Sequence, residues 1–226
     1  MSAGASLAGL RIVVSAGPTY EDIDPVRFIG NRSSGKTGFA IAAAAARRGA
    51  EVALVAGPVA LATPAGVARR DVRSAAQMHD AVLAALPADA YIAAAAVADF
   101  TPAAPAQRKI KKRPGGEGLV LELVRTADIL AEVAAHPLRP RLVLGFAAET
   151  DDLERNARDK LLRKGADLIA GNRVGEPGSG FESDDNTLVV YWRGGERVLG
   201  PAPKTALADL LLDIVAARLS TTEQAH

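Results

Sequence analysis

The chain has 226 residues, 49% of them hydrophobic and 23% charged, with a formal net charge of +1 at pH 7. That balance supplies the apolar surface a core needs and excludes a charge-driven nucleic-acid or membrane partner; with 4% aromatic residues, stacking platforms for bases are also scarce. Cysteine is absent, which excludes disulfide frameworks, thiolate metal sites and a cysteine nucleophile. No apolar run reaches the ~20 residues that cross a bilayer, and Met1 to Gly9 lacks a basic leader, so a cytoplasmic protein is expected. The length suits one domain over 1–226, with an ordered core of about 10–219.

Short apolar runs alternate with helical stretches along the chain. Leu10 to Val14 reads as a strand, and the alanine-rich Lys36 to Arg48 as a helix closed by Gly49. Glu51 to Ala56 is a second strand, stopped by Gly57-Pro58. Ala75 to Leu86 is a helix and Ala90 to Val97 a buried strand. Leu119 to Val124 reads as a further strand, followed by a helix from Asp128 to Ala135 with Thr126 as its N-cap. Then come a strand at Arg141 to Phe146, a helix at Asp151 to Lys164 and a strand at Asp167 to Ala170. Thr187 to Trp192 and Glu196 to Leu199 form a late hairpin around Gly194-Gly195, and Lys204 to Leu219 is a closing helix.

Strands that are apolar throughout, alternating with helices, imply an α/β fold: a mostly parallel sheet with helices on both faces. Two stretches fit no element. One is Gly17 to Ser34; the other, Thr101 to Gly118, is rich in Pro, Lys and Gly and reads as a mobile flap.

The first stretch leaves a strand and enters a helix, where doubly wound folds place their ligands. Gly17, Gly30 and Gly35 allow close backbone approach, and the new helix offers its first N–H groups to an anion. An ordinary turn would also carry such glycines, but Asn31, Arg32, Ser33, Ser34 and Lys36 add polar groups suited to phosphate. Gly30 to Thr37 matches the P-loop pattern G-x-x-x-x-G-K-[ST]. Yet Asp24-Pro25-Val26-Arg27-Phe28-Ile29 is a poor central strand, and Asp99 lies past the end of its own strand, so it makes a poor Walker B partner. A dinucleotide G-x-G-x-x-G is missing after Gly17.

Ala93-Ala-Ala-Ala-Val-Ala-Asp99 ends a strand with a carboxylate able to hold Mg²⁺ or a sugar hydroxyl, or simply to face solvent. Lys109-Ile-Lys-Lys-Arg113 is either a solvated charge run or a closing flap that brings charge to a transition state. Gly145 to Thr150 follows another strand. Lys160 and Lys164, at i and i+4, share one helix face. Gly180 to Asn186 is a polar turn without an evident use, and the three histidines are scattered.

Taken in order, SAGPT…IDPVRFIGNRSSGKTG, AAAVADF, KIKK, TADIL, GFAAET with its trailing lysines, and GFESDDN resemble phosphopantothenoylcysteine synthetase, in particular its bacterial CTP-using form. The match spans about Val13 to Leu219. The resemblance implies a modified Rossmann-like fold, a homodimer whose site borrows from the neighbouring subunit, and Mg²⁺ with CTP as co-substrate. It implies a ligase that joins 4′-phosphopantothenate to L-cysteine through an acyl-cytidylate. By the same resemblance, Asn31 and Arg27 handle phosphopantothenate and the intermediate together with Ala95 and Ala96. Lys109 is the catalytic flap lysine. Gly17, Ser33, Ser34, Gly35, Asp99, Ala127, Asp128, Ile129, Leu130, Phe146, Lys160 and Lys164 line the nucleotide site, with Asp99 as the metal ligand. A phosphopantothenoylcysteine decarboxylase is an expected fused or associated partner, and no flavin is expected in this chain. Ala127 stands where the family often has Pro, and Gly171 where Ala is commoner. Two rival readings stay open from the sequence: a P-loop kinase or NTPase built on Gly30 to Thr37, and a non-catalytic nucleotide-binding module.

Overall fold

The structure, a computed structural model, describes residues 5–111, 118–173 and 185–223. Lys112, Arg113 and Gly180 to Asp184, singled out above, lie outside the described residues.

Six strands run parallel: β1 (Arg11–Ala16), β4 (Glu51–Ala56), β5 (Val67–Asp71), β6 (Ala90–Ala93), β9 (Leu142–Glu149) and β10 (Leu168–Arg173). The hairpin of β11 (Asp185–Trp192) and β12 (Gly195–Pro203) adds antiparallel to β10, giving the order β12-β11-β10-β9-β6-β1-β4-β5. The mostly parallel α/β sheet and its late hairpin are those expected from the sequence.

The face each residue takes follows from the period of two along a strand. Ile12 and Val14 of β1 point with Leu54, Ile92, Leu144 and Leu168 toward α1 (Lys36–Arg47) and α5 (Lys204–Glu223). Val13 points the other way, with Val55, Tyr91, Val143 and Ile169, toward α2 (Ala75–Ala84), α3 (Ile129–Ala135) and α4 (Leu153–Lys164). A strand buried on both faces must be apolar at every position, which is why these runs show no alternation. Edge strand β5 is different: Arg69, Arg70 and Asp71 leave it half polar, so it escaped the sequence reading.

Two small ribbons lie outside the main sheet, one within the first unassigned stretch and one flanking the second. β2 (Tyr20–Asp22) pairs antiparallel with β3 (Phe28–Gly30), and β7 (Phe100–Pro102) with β8 (Leu123–Arg125). The strand expected at Leu119 to Val124 is therefore only Leu123–Arg125, and it stays off the main sheet. Its apolar side chains are not core: Leu123 and Val124 are exposed. The strand expected to run to Val97 stops at Ala93. There the chain turns, with Ala94 N–H donating to Ser15 O at 3.0 Å and Ala96 bridging to Pro18.

Thr126 does not cap α3. The cap is Asp128, whose Oδ1 accepts the N–H of Ala131 at 3.2 Å. Helix α3 starts at Ile129, which puts Thr126 too far upstream; its hydroxyl donates instead to Ala98 O at 2.7 Å.

Candidate functional site

The C-terminal ends of β1, β6, β9 and β10 open into one cleft of about 980 Å³. Its walls come from four stretches far apart in the chain: Asn31 to Gly38, Ala93 to Asp99, Arg125 to Leu130, and the α4 lysines with Phe146. The cleft thus gathers Asn31, Ser33, Ser34, Gly35, Ala95, Ala96, Asp99, Ala127, Asp128, Ile129, Leu130, Phe146, Lys160 and Lys164. Gly17, Arg27 and Lys109 are not among the lining residues.

Helix α1 begins at the cleft. Gly35, its N-cap, has φ 75°, a left-handed conformation that glycine takes without strain. A Cβ there would sit 3.0 Å from Val59 Cγ1 and 3.4 Å from Gly17 Cα, so Gly17 acts from behind, by letting the loop close. With no acidic residue in its first turn, the helix start presents N–H groups and partial positive charge to the cleft.

The loop that carries Asn31 is tied to the shelf beyond β6. Asn31 Nδ2 donates to Ala96 O at 3.2 Å and to Val97 O at 3.0 Å. The shelf is held from below by Thr19, whose Oγ1 accepts Ala98 N–H at 2.9 Å, and by Ala96 N–H to Gly17 O at 2.9 Å. Asn31 therefore ties its loop to the Ala96–Val97 backbone through the nitrogen of its amide.

The opposite wall is cationic. Lys160 Nζ donates to Phe146 O at 2.7 Å, and Lys164 pairs with Asp128, the α3 cap. Burial, and then the neighbouring Lys164, push the Lys160 ammonium below its ordinary value, while Glu149, Asp128 and Asp99 oppose the shift. An anionic ligand entering beside Lys160 would oppose that shift and favour the ammonium.

Some lining residues carried a readable signal that was not used. Asn172, one residue before the end of β10, follows an apolar run as Asp99 follows its own. Ser15 and Tyr91, with hydroxyls 3.0 Å apart, form a buried polar pair in the cleft floor inside strands that read as plain core. Burial holds the Tyr91 phenol well above its usual range, so it stays protonated. Lys204 is buried at the start of α5 and lines the cleft, and no sequence pattern pointed to it.

Arg27 and Lys109 lie on the ribbon side. Arg27 Nε donates to the buried Asp24 at 3.1 Å, and its Nη2 donates to Ile110 O at 2.8 Å. The segment at 106–110 is docked on this turn, and Lys109 is exposed.

The P-loop reading loses its structural context. Strand β3, before the matching residues, belongs to a two-stranded ribbon and not to the central sheet. The residues from Asn31 to Gly35 bind the shelf through a side chain and do not form a cradle directly after a core strand.

Comparison with known proteins agrees with this geometry. The chain is 50% identical over 214 residues to the coenzyme A biosynthesis bifunctional protein CoaBC of Escherichia coli K12, and 48% identical over 210 residues to that of Vibrio cholerae. These matches cover 94% and 92% of this chain but 53% of each relative, so the chain spans about half the length of the curated relatives it matches. A crystal structure of the C-terminal domain of a CoaBC protein superposes with a TM-score of 0.80 at 38% identity, covering 95% of this chain and 98% of that one. The flavoprotein structure from Streptococcus pneumoniae named for DNA/pantothenate metabolism gives 0.78 at 25% identity, over 92% and 99%. The pattern of one family runs through residues 7–219, and the chain belongs to that family, the DNA/pantothenate metabolism flavoprotein C-terminal domain.

Proposed function

We propose that this chain is the ligase that joins 4′-phosphopantothenate to L-cysteine in coenzyme A biosynthesis, consuming CTP and releasing CMP and pyrophosphate. One observation carries the reading. Four stretches, chosen from the sequence for this chemistry, converge on a single cleft at the C-terminal ends of parallel strands. The likeness to CoaBC proteins over the whole cleft supports it.

A carboxylate becomes an acylating agent only when its oxygen turns into a good leaving group. In the first step a phosphopantothenate carboxylate oxygen bonds to the α-phosphorus of CTP, and the bond to pyrophosphate breaks. Negative charge grows on phosphorus; the start of α1, Lys160 and Lys164 offset it. In the second step the amine of cysteine attacks the acyl carbon, loses a proton, and CMP leaves with the bonding pair. Asn31, held against Ala96 and Val97, orients the acyl-cytidylate for that attack. Mg²⁺ entering with the triphosphate fits Asp99, because such ions take one or two carboxylates and fill the remaining positions with phosphate oxygens and water. When bound it neutralises phosphate charge.

The nucleoside end of the cleft is assigned to Asp128, Ile129, Leu130, Phe146, Lys160 and Lys164, where Phe146 O and the lysines give a fixed polar edge. Lys109 reaches the reacting phosphates by closure of its segment. The exposed apolar side chains Val26, Phe28, Phe100, Leu123 and Val124 on the two ribbons support a homodimer, since a second copy would cover them. A decarboxylase, fused or associated, fits the greater length of the bifunctional relatives. A cytoplasmic enzyme suits these small soluble substrates; among the described residues no helix is long and apolar enough to cross a membrane.

The test is an incubation with phosphopantothenate, Mg²⁺ and each nucleotide in turn, without cysteine. CTP should give pyrophosphate and phosphopantothenoyl-CMP, visible by mass spectrometry, much faster than ATP gives its counterpart. Equal rates would remove the preference for CTP. No acyl-nucleotide with any nucleotide would remove the ligase.

A further inference from the structure

The turn between β2 and β3 holds a carboxylate that the proposed reaction does not use. The Asp24 side chain is fully buried. Its Oδ1 accepts the N–H of Val26 at 2.8 Å and of Arg27 at 2.9 Å, which fixes the turn. Its Oδ2 accepts Arg27 Nε and the backbone N–H of Ile110, both at 3.1 Å. Arg27 Nη2, itself paired with Oδ2, donates to Ile110 O at 2.8 Å. Both polar backbone groups of Ile110 are thus bound by one ion pair 83 residues away. A second contact, Ala106 N–H to Ile23 O at 2.9 Å, docks the other end of the same stretch. A buried, ionised carboxylate is retained only where charged partners and several donors offset its lost hydration. Here the chief of those partners is Arg27, and the carboxyl is held far below its ordinary range.

The residue fixed in this way, Ile110, lies between Lys109 and Lys111 of the basic run. Lys109 itself is exposed. Two hydrogen bonds to the adjacent peptide set both the position and the orientation of the chain at the lysine. The flap is therefore not a free loop at this point: it is hinged where Asp24 and Arg27 grip it.

We propose that Asp24 is a positioning residue for Lys109, acting through its clamp, shared with Arg27, on the peptide groups of Ile110. The proposal rests on the reading of Lys109 as the lysine that serves the nucleotidyl-transfer step. The clamp fixes the arc through which that lysine swings, and its loss would leave the residues of the cleft in place while the charge arrives less often in the productive geometry. Misplacement of a reacting group by about an ångström can cost ~10²-fold in rate.

The experiment compares Asp24→Asn, Lys109→Gln and the double variant with the wild-type protein. Asp24→Asn keeps the size of the side chain but turns a donor toward Ile110 N–H and Arg27. We expect kcat for pyrophosphate release to fall about 10- to 100-fold with the KM for CTP nearly unchanged. In the Lys109→Gln background the same substitution should lower kcat by less than about twofold, because both changes act through one lysine. Trypsin should cut after Lys109 and Lys111 faster in Asp24→Asn than in wild type. Full additivity of the two kinetic losses would overturn the proposal, as would an unchanged cleavage rate. If Lys109→Gln keeps wild-type turnover, it is the role of Lys109 that fails, and the cleavage rates still decide whether the clamp exists. Should Asp24→Asn not fold, Ile110→Pro removes the gripped N–H without touching the buried turn; it must reproduce the same kcat loss and KM, and faster cleavage after Lys111 alone because trypsin does not cut a Lys–Pro bond, for the proposal to stand.

Discussion

The wall of the cleft and the ribbons beside it are built in different ways. The wall made by Phe146, Lys160 and Lys164 belongs to β9 and α4, elements whose inward faces lie in a buried core with Val143, Leu161 and Ile169. Its polar groups are pinned to neighbours on the same scaffold, Lys160 to Phe146 O and Lys164 to Asp128. The side that carries Arg27 and Lys109 stands on two short ribbons off the sheet, with Phe28 and Phe100 half exposed and two buried carboxylates, Glu21 on β2 and Asp24 at the turn. Its order comes from point contacts: a Tyr20–Phe28 stack at 3.9 Å, the Arg73–Asp22 ion pair at 2.6 Å, and the Asp24 clamp. A wall backed by core geometry suits recognition, which needs one fixed shape. A side held by a few polar contacts can release and re-form, which suits a group that has to close on a bound substrate.

Three predictions sharpen this contrast, in falling order of effect. Asn31 joins the two sides, since its loop leaves the β2–β3 ribbon and its amide holds the shelf at Ala96 and Val97. Asn31→Asp sets a carboxylate oxygen where that amide donated. It should slow cysteine condensation by ~10²-fold, the effect of misplacing a reacting group by about an ångström, while acyl-cytidylate still forms and accumulates. Equal slowing of pyrophosphate release would mean that Asn31 only holds the loop on the shelf.

On the core side, Gly57 follows β4 beneath the first loop. A Cβ there would lie 1.7 Å from Pro18 O, a backbone atom with no room to yield, and Gly57 N–H already bonds Ala16 O at 2.8 Å. Gly57→Ala should cost about 3 kcal/mol, seen as a lower urea midpoint with an unchanged slope. A midpoint equal to wild type would show that the first loop is not braced from below.

The smallest effect is one of pH. His79 on α2 bonds Asp80 through Nδ1 at 2.9 Å and Glu132 on α3 through Nε2 at 2.8 Å. Asp80 first, and then Glu132, raise its pKa above 6.5. A group raised in the folded state stabilises fully below its unfolded value, and that stability is lost as pH climbs through the folded value. Wild type should therefore exceed His79→Gln by up to about 1 kcal/mol in mildly acidic buffer, with the margin shrinking in alkaline buffer. A margin that grows with pH would contradict the pairing.

The parts of the fold readable in the sequence are those with a strong local cause. Alanine and Gly49 gave α1, and runs apolar at every position gave β1, β4, β9 and β10 with errors only at their ends. β5 was missed because its charges follow from being an edge, and edges are assigned only once the sheet is assembled. Ribbon strands β2, β3 and β7 were missed because strands of three residues carry too little periodicity to register. Leu123 and Val124 misled in the opposite sense: apolar side chains outside the core look the same in sequence as those inside it.

By itself the sequence determined the parallel α/β order and most of the residues that meet in the cleft, because strand periodicity and the position of a polar residue just past a strand are local properties of the chain. Only the tertiary structure decided that Ser15, Tyr91, Asn172 and Lys204 share that cleft, that Gly17 acts from behind Gly35, and that Arg27 grips the chain beside Lys109 through Asp24. Each of these joins residues far apart in the chain. Their partners are set by strand order and by which groups burial leaves in need of a hydrogen bond, and no window of sequence contains either.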